Sequence, residues 1–471
     1  MPEYVAWFGH NPSYFGQRFS ELESLAQLFG VPRGQLFVGE KPSPLSTAPY
    51  AIIRLPNDEI AVKICHKAVL TKFIFELWGS GSNDSDVVAD IKARISDSDW
   101  SAYFKDKTFS YKVLGYGMQH TDKSRRERMA AFGSLFRGWE RVDLKSPALT
   151  LYIVDEHEHN FEQTGTRNEL IQSAKKRTFY GRLAAVSDGE SRAKYVLTER
   201  PVLGPTSLDN DLAFLMANVA EIDVGKFVFD PFCGTGGLLI AATATGGVPQ
   251  VGTDIDIRVL KGEFVAYIRN QVRENMGTNI FENFTYYHLP IPEVVACDNS
   301  HPCWRSQQGL FDVILTDPPY GVRAGAKKIG AKYDHEIGNR ESYFPQMLGY
   351  QPNEVNEDLL ELASERLVDG GVLVFLLHIE LMDLFSAEEL AALPRESELS
   401  NRATKICVQK STGKEYVYAN ECARDRQFLD EQNIVARVVP RHKDLTVESA
   451  VLQILAAGTG RVLVKMRRHV R

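Results

Sequence analysis

One short segment in the second half of the chain carries the groups of an amine-binding site. Residues 316–321 read Thr-Asp-Pro-Pro-Tyr-Gly and follow an apolar run at residues 311–315. Such a run predicts a buried parallel strand, and ligands bind at the carboxyl edge of a parallel sheet. A carboxylate, a carbonyl held by prolines and an aromatic ring suit the binding of a planar exocyclic amine on a stacked base. The residues assigned to this chemistry are Asp317, Pro318, Pro319 and Tyr320.

A strand, an acid and a glycine-rich turn stand upstream, at residues 226–242. The strand ends at Asp230, the turn reads Pro-Phe-Cys-Gly-Thr-Gly-Gly, and a helix opens at Leu238. Glycines allow a ligand to approach the backbone closely, and a helix N-terminus favours an anion. The turn lacks both the Lys of a nucleoside-triphosphatase loop and the spacing of a dinucleotide-binding loop. Its acid suits the ammonium group of a methionine moiety, and its helix suits the carboxylate of that moiety.

Two further short strands also end in acids. One ends at Asp254, where a ribose diol would be held, and the other at Asp298, which would accept from an adenine amino group. A single strand-end Asp is often a turn or a cap, but four successive strand tips with carboxylates predict an S-adenosylmethionine site. The predicted cofactor-binding residues are Asp230, Phe232, Gly234, Gly236, Asp254, Asp298 and Thr206.

Composition narrows the class of protein. The chain has 471 residues, 44% of them hydrophobic, which predicts two or three packed domains and no membrane span. Six scattered cysteines without a Cys-x-x-Cys pair argue against a metal site or a disulfide framework, and we expect a cytoplasmic protein. The net charge of −7 counts mildly against nucleic acid as a partner, although local basic clusters exist at residues 123–128, 175–177 and 465–468.

The order of elements predicts an α/β protein. We expect an N-terminal α+β module at residues 1–160, a polar connector at 161–205, and a Rossmann-like domain of about seven strands with an antiparallel edge at 206–471. Residues 380–446 form a possible insertion, either a contact surface for RNA or a partner, or a plain surface loop. Within the N-terminal module we expect a strand at residues 60–64 and a helix near residues 68–78.

Four segments resemble known protein families. The blocks at residues 230–236 and 317–321 resemble class I amino-methyltransferases, and residues 204–218, which begin Gly-Pro-Thr-Ser-Leu-Asp, are more particular. Together with residues 21–30, they resemble the catalytic subunit of the eukaryotic tRNA guanosine N2-methyltransferases that modify position ten. The resemblance implies a class I methyltransferase fold, a THUMP-type N-terminal domain that grips the acceptor end of tRNA, and a small activator subunit carrying its own zinc.

Other functions remain compatible with the residues themselves. A DNA adenine or cytosine amino-methyltransferase shares the Asp-Pro-Pro-Tyr chemistry, although the N-terminal module and residues 204–207 argue against it. A protein glutamine methyltransferase usually has Asn in place of Asp317. A non-catalytic RNA-binding scaffold would not need acids at all four strand tips.

Overall fold

The computed structural model describes most of the chain, including every strand tip considered above. The described residues are 1–9, 11, 13–157, 174–204, 207–246, 249–261, 279–301, 303, 308–319, 327–329, 347–395, 397, 404–419, 431–455 and 458–470. Tyr320 and Thr206, assigned above to the substrate and cofactor sites, lie outside these residues.

A mixed seven-stranded sheet forms the N-terminal module, with strand order β2-β1-β3-β7-β6-β4-β5. Its strands are β1 (Glu3–Phe8), β2 (Tyr50–Arg54), β3 (Thr71–Gly81), β4 (Thr108–Tyr116), β5 (Arg141–Val142), β6 (Leu149–His157) and β7 (Lys175–Val186). Its helices are α1 (Arg18–Leu28), α2 (Asp58–Lys67), α3 (Asp84–Arg94), α4 (Asp97–Phe104), α5 (Asp122–Ala131) and the short α6 (Glu190–Ala193).

Strand β7 lies inside the segment expected to be a connector. It pairs with β3 on one side and β6 on the other, so it is a central strand of the first sheet. Its charged residues hid this role in the sequence, but Arg182 is satisfied by Glu76 at 2.8 Å and Asp58 at 2.7 Å. The N-terminal module therefore extends to Val186.

The structure also reverses two elements expected at residues 60–78. Residues 58–67 form the helix α2, and residues 71–81 form the strand β3. Asn57 caps the helix by accepting a hydrogen bond from the backbone N–H of Ile60 at 3.1 Å. A short apolar run such as residues 60–64 fits either element, and the cap decides between them.

A second seven-stranded sheet forms the C-terminal domain, with order β10-β9-β8-β11-β14-β18-β17. Its first five strands are parallel, whereas β18 and β17 are antiparallel, which confirms the predicted fold class and its antiparallel edge. The strands are β8 (Val228–Asp230), β9 (Gln250–Asp254), β10 (Glu293–Ala296), β11 (Phe311–Thr316), β14 (Leu367–Glu380), β17 (Leu445–Ile454) and β18 (Thr459–Arg468). Two small hairpins add β12 (Lys327–Ile329) with β13 (Met347–Gly349) and β15 (Thr404–Val408) with β16 (Glu415–Ala419).

Helices cover both faces of this sheet. They are α7 (Asn210–Val219), α8 (Gly237–Gly246), α9 (Ile257–Lys261), α10 (Phe281–Tyr286), α11 (Pro352–Arg366), α12 (Ala387–Ala392) and α13 (Glu431–Arg437). Asp209 caps α7 by accepting from the N–H of Leu212 at 3.2 Å. Of the helices in the described ranges, none is long and apolar enough to cross a membrane.

The described part of residues 380–446 is folded. Val417 of β16 and Ile434 of α13 are buried in the core that lies on one face of the second sheet. Leu381 and Leu384, which follow β14, belong to the same core. These described residues therefore pack on the sheet.

Hydrogen bonds between buried polar groups connect the N-terminal module with the C-terminal domain. The fully buried carboxylate of Glu21 on α1 accepts from the backbone N–H groups of Val69 at 2.7 Å and Leu70 at 2.9 Å. It also accepts from the side-chain amide of Asn218 on α7 at 2.8 Å. Burial raises the pKa of Glu21, and these three donors lower it. One carboxylate thus satisfies donors from both domains.

Replacing Glu21 with leucine should destabilise the protein, because three buried donors lose their acceptor. We expect a loss on the order of 3 kcal/mol, measured as a lower urea midpoint of the full chain. Glu59→Leu, on an exposed part of α2, is the control and should leave the midpoint nearly unchanged. Equal midpoints for Glu21→Leu and wild type would contradict a structural role for this carboxylate.

Candidate active site

Four acids lie at one edge of the second sheet. Asp230 ends β8 and Asp254 ends β9, while Asp298 and Asp317 follow β10 and β11. These four strands are parallel neighbours in the order β10-β9-β8-β11, so their carboxyl ends share one edge. The structure thus brings together the four strand tips named from the sequence.

Asp230 is the most deeply buried acid at this edge. Its Oδ1 accepts from Thr316 Oγ1 at 2.7 Å and from the N–H of Phe232 at 3.0 Å. The pKa of Asp230 is raised to about 7, mainly by burial and also by the nearby charges of Asp254 and Asp317, against the lowering effect of the two hydrogen bonds. A desolvated carboxylate beside two other acids is a favourable position for a cation.

The glycine turn fits a ligand that approaches the backbone. Gly234 and Gly236 have φ values of 50° and 80°, in the left-handed region that favours glycine. A side chain at Gly236 would meet Phe284 at 3.1 Å, whereas no described atom lies within 4 Å of the position of a Cβ at Gly234. Asp254 Oδ2 holds the turn by accepting from the N–H of Gly234 at 3.0 Å.

A buried arginine stands at the start of α8. Arg200 is almost fully buried, and its Nε and Nη1 have no hydrogen-bond partner among the described residues. A Cβ at Gly237, the first residue of α8, would lie 3.2 Å from this Nη1. Burial lowers the pKa of Arg200, while the hydroxyl of Tyr287 raises it. A guanidinium beside the positive end of a helix attracts an anion, such as a carboxylate.

The remaining predicted cofactor residues occupy local turns. Asp254 Oδ1 accepts from the N–H of Asp256 at 2.9 Å. Asp298 Oδ1 accepts from the N–H and the hydroxyl of Ser300 at 2.9 and 2.7 Å, an arrangement typical of a turn. The half-buried ring of Phe232 packs against Tyr350 and Val355. These contacts shape the edge of the site.

Of the described residues predicted for the substrate site after β11, Asp317 is the most open to solvent. Its side chain is 21% exposed, and its Oδ1 lies 3.3 Å from Nε2 of His378, which follows the parallel part of β14. Pro318 is buried and Pro319 is half-buried. The charge of Asp317 acts on Asp230, so the two predicted halves of the site are close.

Three side chains of this site were not predicted from the sequence. Thr316 bonds to Asp230, Arg200 lies at the start of α8, and His378 contacts Asp317. The position of Thr316 at a strand tip was a usable signal, but the other two contacts depend on burial and strand register. Within the described ranges, no cluster of His, Cys, Asp or Glu could hold a metal ion.

Comparison with known proteins identifies two domains. Residues 3–187 match the family model of the Tmrp11 THUMP N-terminal domain, and residues 198–343 match the RMKL-like methyltransferase domain. The first match ends next to the last residue of β7, in agreement with the first sheet.

Curated relatives cover most of the chain. A tRNA (guanine(10)-N(2))-methyltransferase TRMT11 of Dictyostelium discoideum is 29% identical, over 94% of this chain and 88% of the relative. The protein of that name from Homo sapiens is 32% identical, over 77% of each chain. The crystal structure of TrmN from Thermus thermophilus covers 99% of each chain at 14% identity, but its TM-score of 0.38 adds nothing to the assignment. The extent and identity of the curated matches show that the chain belongs to the tRNA (guanine(10)-N(2))-methyltransferase family.

Proposed function

We propose that the chain catalyses S-adenosylmethionine-dependent methylation of the N2 amine of a guanosine in tRNA, at position ten. The observation that carries the proposal is the adjacency of Asp230 and Asp317 at the tips of β8 and β11, joined by Thr316. The printed names of the relatives supply the substrate and the position. Residues 1–187, which match a THUMP domain model, supply a module for RNA.

The charges of the site residues and the space around them indicate which part of the cofactor each residue would bind. Asp230 would bind the ammonium of the methionine moiety, and Arg200 with the first turn of α8 would bind its carboxylate. Asp254 would accept from the ribose hydroxyls and Asp298 from the adenine amine, while Gly234 gives the ligand access to the backbone. Phe232 and, from the sequence alone, Thr206 would border the same site. S-adenosylmethionine supplies an electrophilic methyl group on a sulfonium.

Asp317 and Pro318 are the residues that prepare the nucleophile. The N2 amine of guanine is a poor nucleophile because its lone pair is delocalised into the ring. If the Asp317 carboxylate and the Pro318 carbonyl accept its two hydrogens, the nitrogen becomes pyramidal and its lone pair is free to react. Once alkylated, the nitrogen loses a proton, and Asp317 accepts it as the N–H bond breaks and an O–H bond forms. Pro319 stiffens the loop, and Tyr320 would stack on the flipped base.

We also propose that a small zinc-binding activator subunit joins this chain. Strand β10 is the edge of the second sheet and, among the described residues, pairs only with β9. Val295 on this strand and Ile291 before it are exposed. An open edge with apolar side chains suits the addition of a strand from a partner.

The function is tested by methyl transfer from labelled S-adenosylmethionine to tRNA, followed by nucleoside analysis. We expect N2-methylguanosine from a transcript with guanosine at position ten, and no label with adenosine there or with duplex DNA. Asp317→Asn should lower kcat about a hundredfold or more, because it removes the proton acceptor, and should leave the Kd for S-adenosylhomocysteine nearly unchanged.

Asp312→Asn is the matched control for this test. It changes an acid of the same strand, β11, but at the amino-terminal end, away from the site. There the Oδ2 of Asp312 accepts from the N–H of Phe227. Its kcat should stay close to that of wild type. Methylated adenine or cytosine in DNA, or full activity of Asp317→Asn, would contradict the proposal.

The raised pKa of Asp230 predicts how ligand affinity changes with pH. Above about pH 7 the carboxylate is charged and attracts the ammonium, whereas below it a bound proton must leave first. The affinity for S-adenosylhomocysteine should therefore fall by up to about tenfold per pH unit below 7, measured by calorimetry. Asp230→Asn should bind weakly at every pH. The folding stability of the ligand-free protein should change with pH in the opposite direction. Because the pKa of Asp230 is raised in the folded state, ionisation of Asp230 costs stability as pH rises towards 7.

Two controls separate this effect from general pH sensitivity. The ligand 5′-methylthioadenosine lacks the amino-acid moiety, so its affinity should be flat across the same range. Arg200→Leu should weaken S-adenosylhomocysteine binding while leaving the slope with pH intact, because the guanidinium stays charged throughout. Equal pH slopes for the two ligands would contradict the assignment of Asp230.

A further inference from the structure

The far end of β14 lies beside the loop that follows β11. The two strands are parallel, with Thr316 opposite Phe375, so the register places His378 beside residues 317–319. Val313 and Leu315 share one core with Val374 and Leu376, a core that includes α7 and α8. Because side chains alternate along a strand, Asp317 and His378 continue these two rows on the same face.

His378 is the one hydrogen-bond partner of Asp317 in the described part of the chain. Its Nε2 lies 3.3 Å from Oδ1, and the two side chains are 14% and 21% exposed. An ionised carboxylate can only accept, so Nε2 carries the hydrogen and donates it. The contact occupies Oδ1 and leaves Oδ2 for a second donor.

We propose that His378 is a positioning residue that orients Asp317 for the target amine. The inference rests on the proposed function, because it assumes that Asp317 accepts hydrogens from an amino group. A donor on Oδ1 fixes the rotation of the carboxylate and directs Oδ2 towards the substrate side of the loop. A neutral imidazole is sufficient, so no proton passes to His378. Small errors in such an orientation cost up to about a hundredfold in rate.

Strand β18 pairs with the end of β14 on the side away from β11. Arg461 is the cross-strand neighbour of His378 in the antiparallel pair. Its Nε donates to Gln453 Oε1 at 2.6 Å, which commits this group to a residue of β17. The end of β14 therefore has a neighbour on each side, the loop after β11 and strand β18. These neighbours hold the backbone that carries the donor, His378.

The test compares His378→Leu with His378→Gln in the full chain, with any co-purifying partner retained. Leucine removes the donor, whereas the glutamine amide keeps a donor at a similar reach. We expect kcat to fall ten- to a hundredfold in the leucine variant and to return to within about threefold of wild type in the glutamine variant. KM for tRNA and Kd for S-adenosylhomocysteine should stay within about twofold in both.

Two kinetic outcomes would overturn the inference. A wild-type kcat in His378→Leu would show that Asp317 needs no orienting donor. Equal losses in both variants, together with a lower unfolding midpoint, would assign His378 to packing rather than to positioning.

A readout without catalysis separates this inference from the proposed function. In the ¹⁵N spectrum of histidine-labelled protein, the His378 signal is identified by its loss in His378→Gln. Asp317→Ala should shift that signal, because Nε2 loses its acceptor. An unchanged signal would overturn the inference even if the enzyme is active. If wild type transfers no methyl group but the signal shifts, the proposed function fails while the contact stands.

Discussion

The buried hydrogen bond from Thr316 Oγ1 to Asp230 Oδ1, 2.7 Å long, joins the two strand tips on which the site depends. Its donor precedes the Asp-Pro-Pro loop, and its acceptor precedes the glycine turn. The two residues are 86 positions apart in the chain, and they meet because β11 is inserted next to β8 in the parallel sheet. Ligands of such sheets bind where the strand order reverses, and this bond lies at that point. It fixes the carboxylate of Asp230, proposed to bind the ammonium of the cofactor, relative to that of Asp317, proposed to bind the target amine.

The electrostatics of this edge are complementary to an amino acid. Asp230 carries a carboxylate whose pKa is raised by burial, and Arg200 carries a buried guanidinium at the start of α8. Each group alone is costly to desolvate, but together they match the ammonium and carboxylate of one zwitterion.

Sequence patterns were sufficient for the sheet of the second domain and for its strand tips. Buried parallel strands are continuous apolar runs, and a run that ends in an acid or in Gly-x-Gly gives its own boundary. The N-terminal module was harder to predict because its signals are short. The cap at Asn57 identifies α2, but residues 60–64 alone fit either a helix or a strand. Strand β7 was hidden by charges such as Arg182, whose partners Glu76 and Asp58 lie far away in the sequence.

His378 and Arg200 show a different limit, since neither residue stands in a motif that predicts its contact. His378 reaches Asp317 only because β14 runs 14 residues, past the tip of β11. Arg200 is recognised by its burial and by two nitrogens that have no hydrogen-bond partner in the described part of the chain, and both are properties of the fold. Strand length and burial depend on contacts between distant segments, which one sequence does not reveal.

The junction between the domains determines how the N-terminal module can serve the site. Glu21 binds donors from both domains, and Lys67 Nζ donates to the carbonyls of Ile222 and Thr245, each at 2.9 Å. Lys465 of β18, 2% exposed, donates to Ser24 of α1 at 3.0 Å. Separating the domains would break these hydrogen bonds, each of which contributes roughly 0.5–1.5 kcal/mol net. If the N-terminal module binds the tRNA, as proposed, these contacts would hold the RNA at a set distance from Asp317. The nucleotide that reaches the site would then be selected by its position in the RNA, which the chemistry of the Asp-Pro-Pro loop alone does not provide.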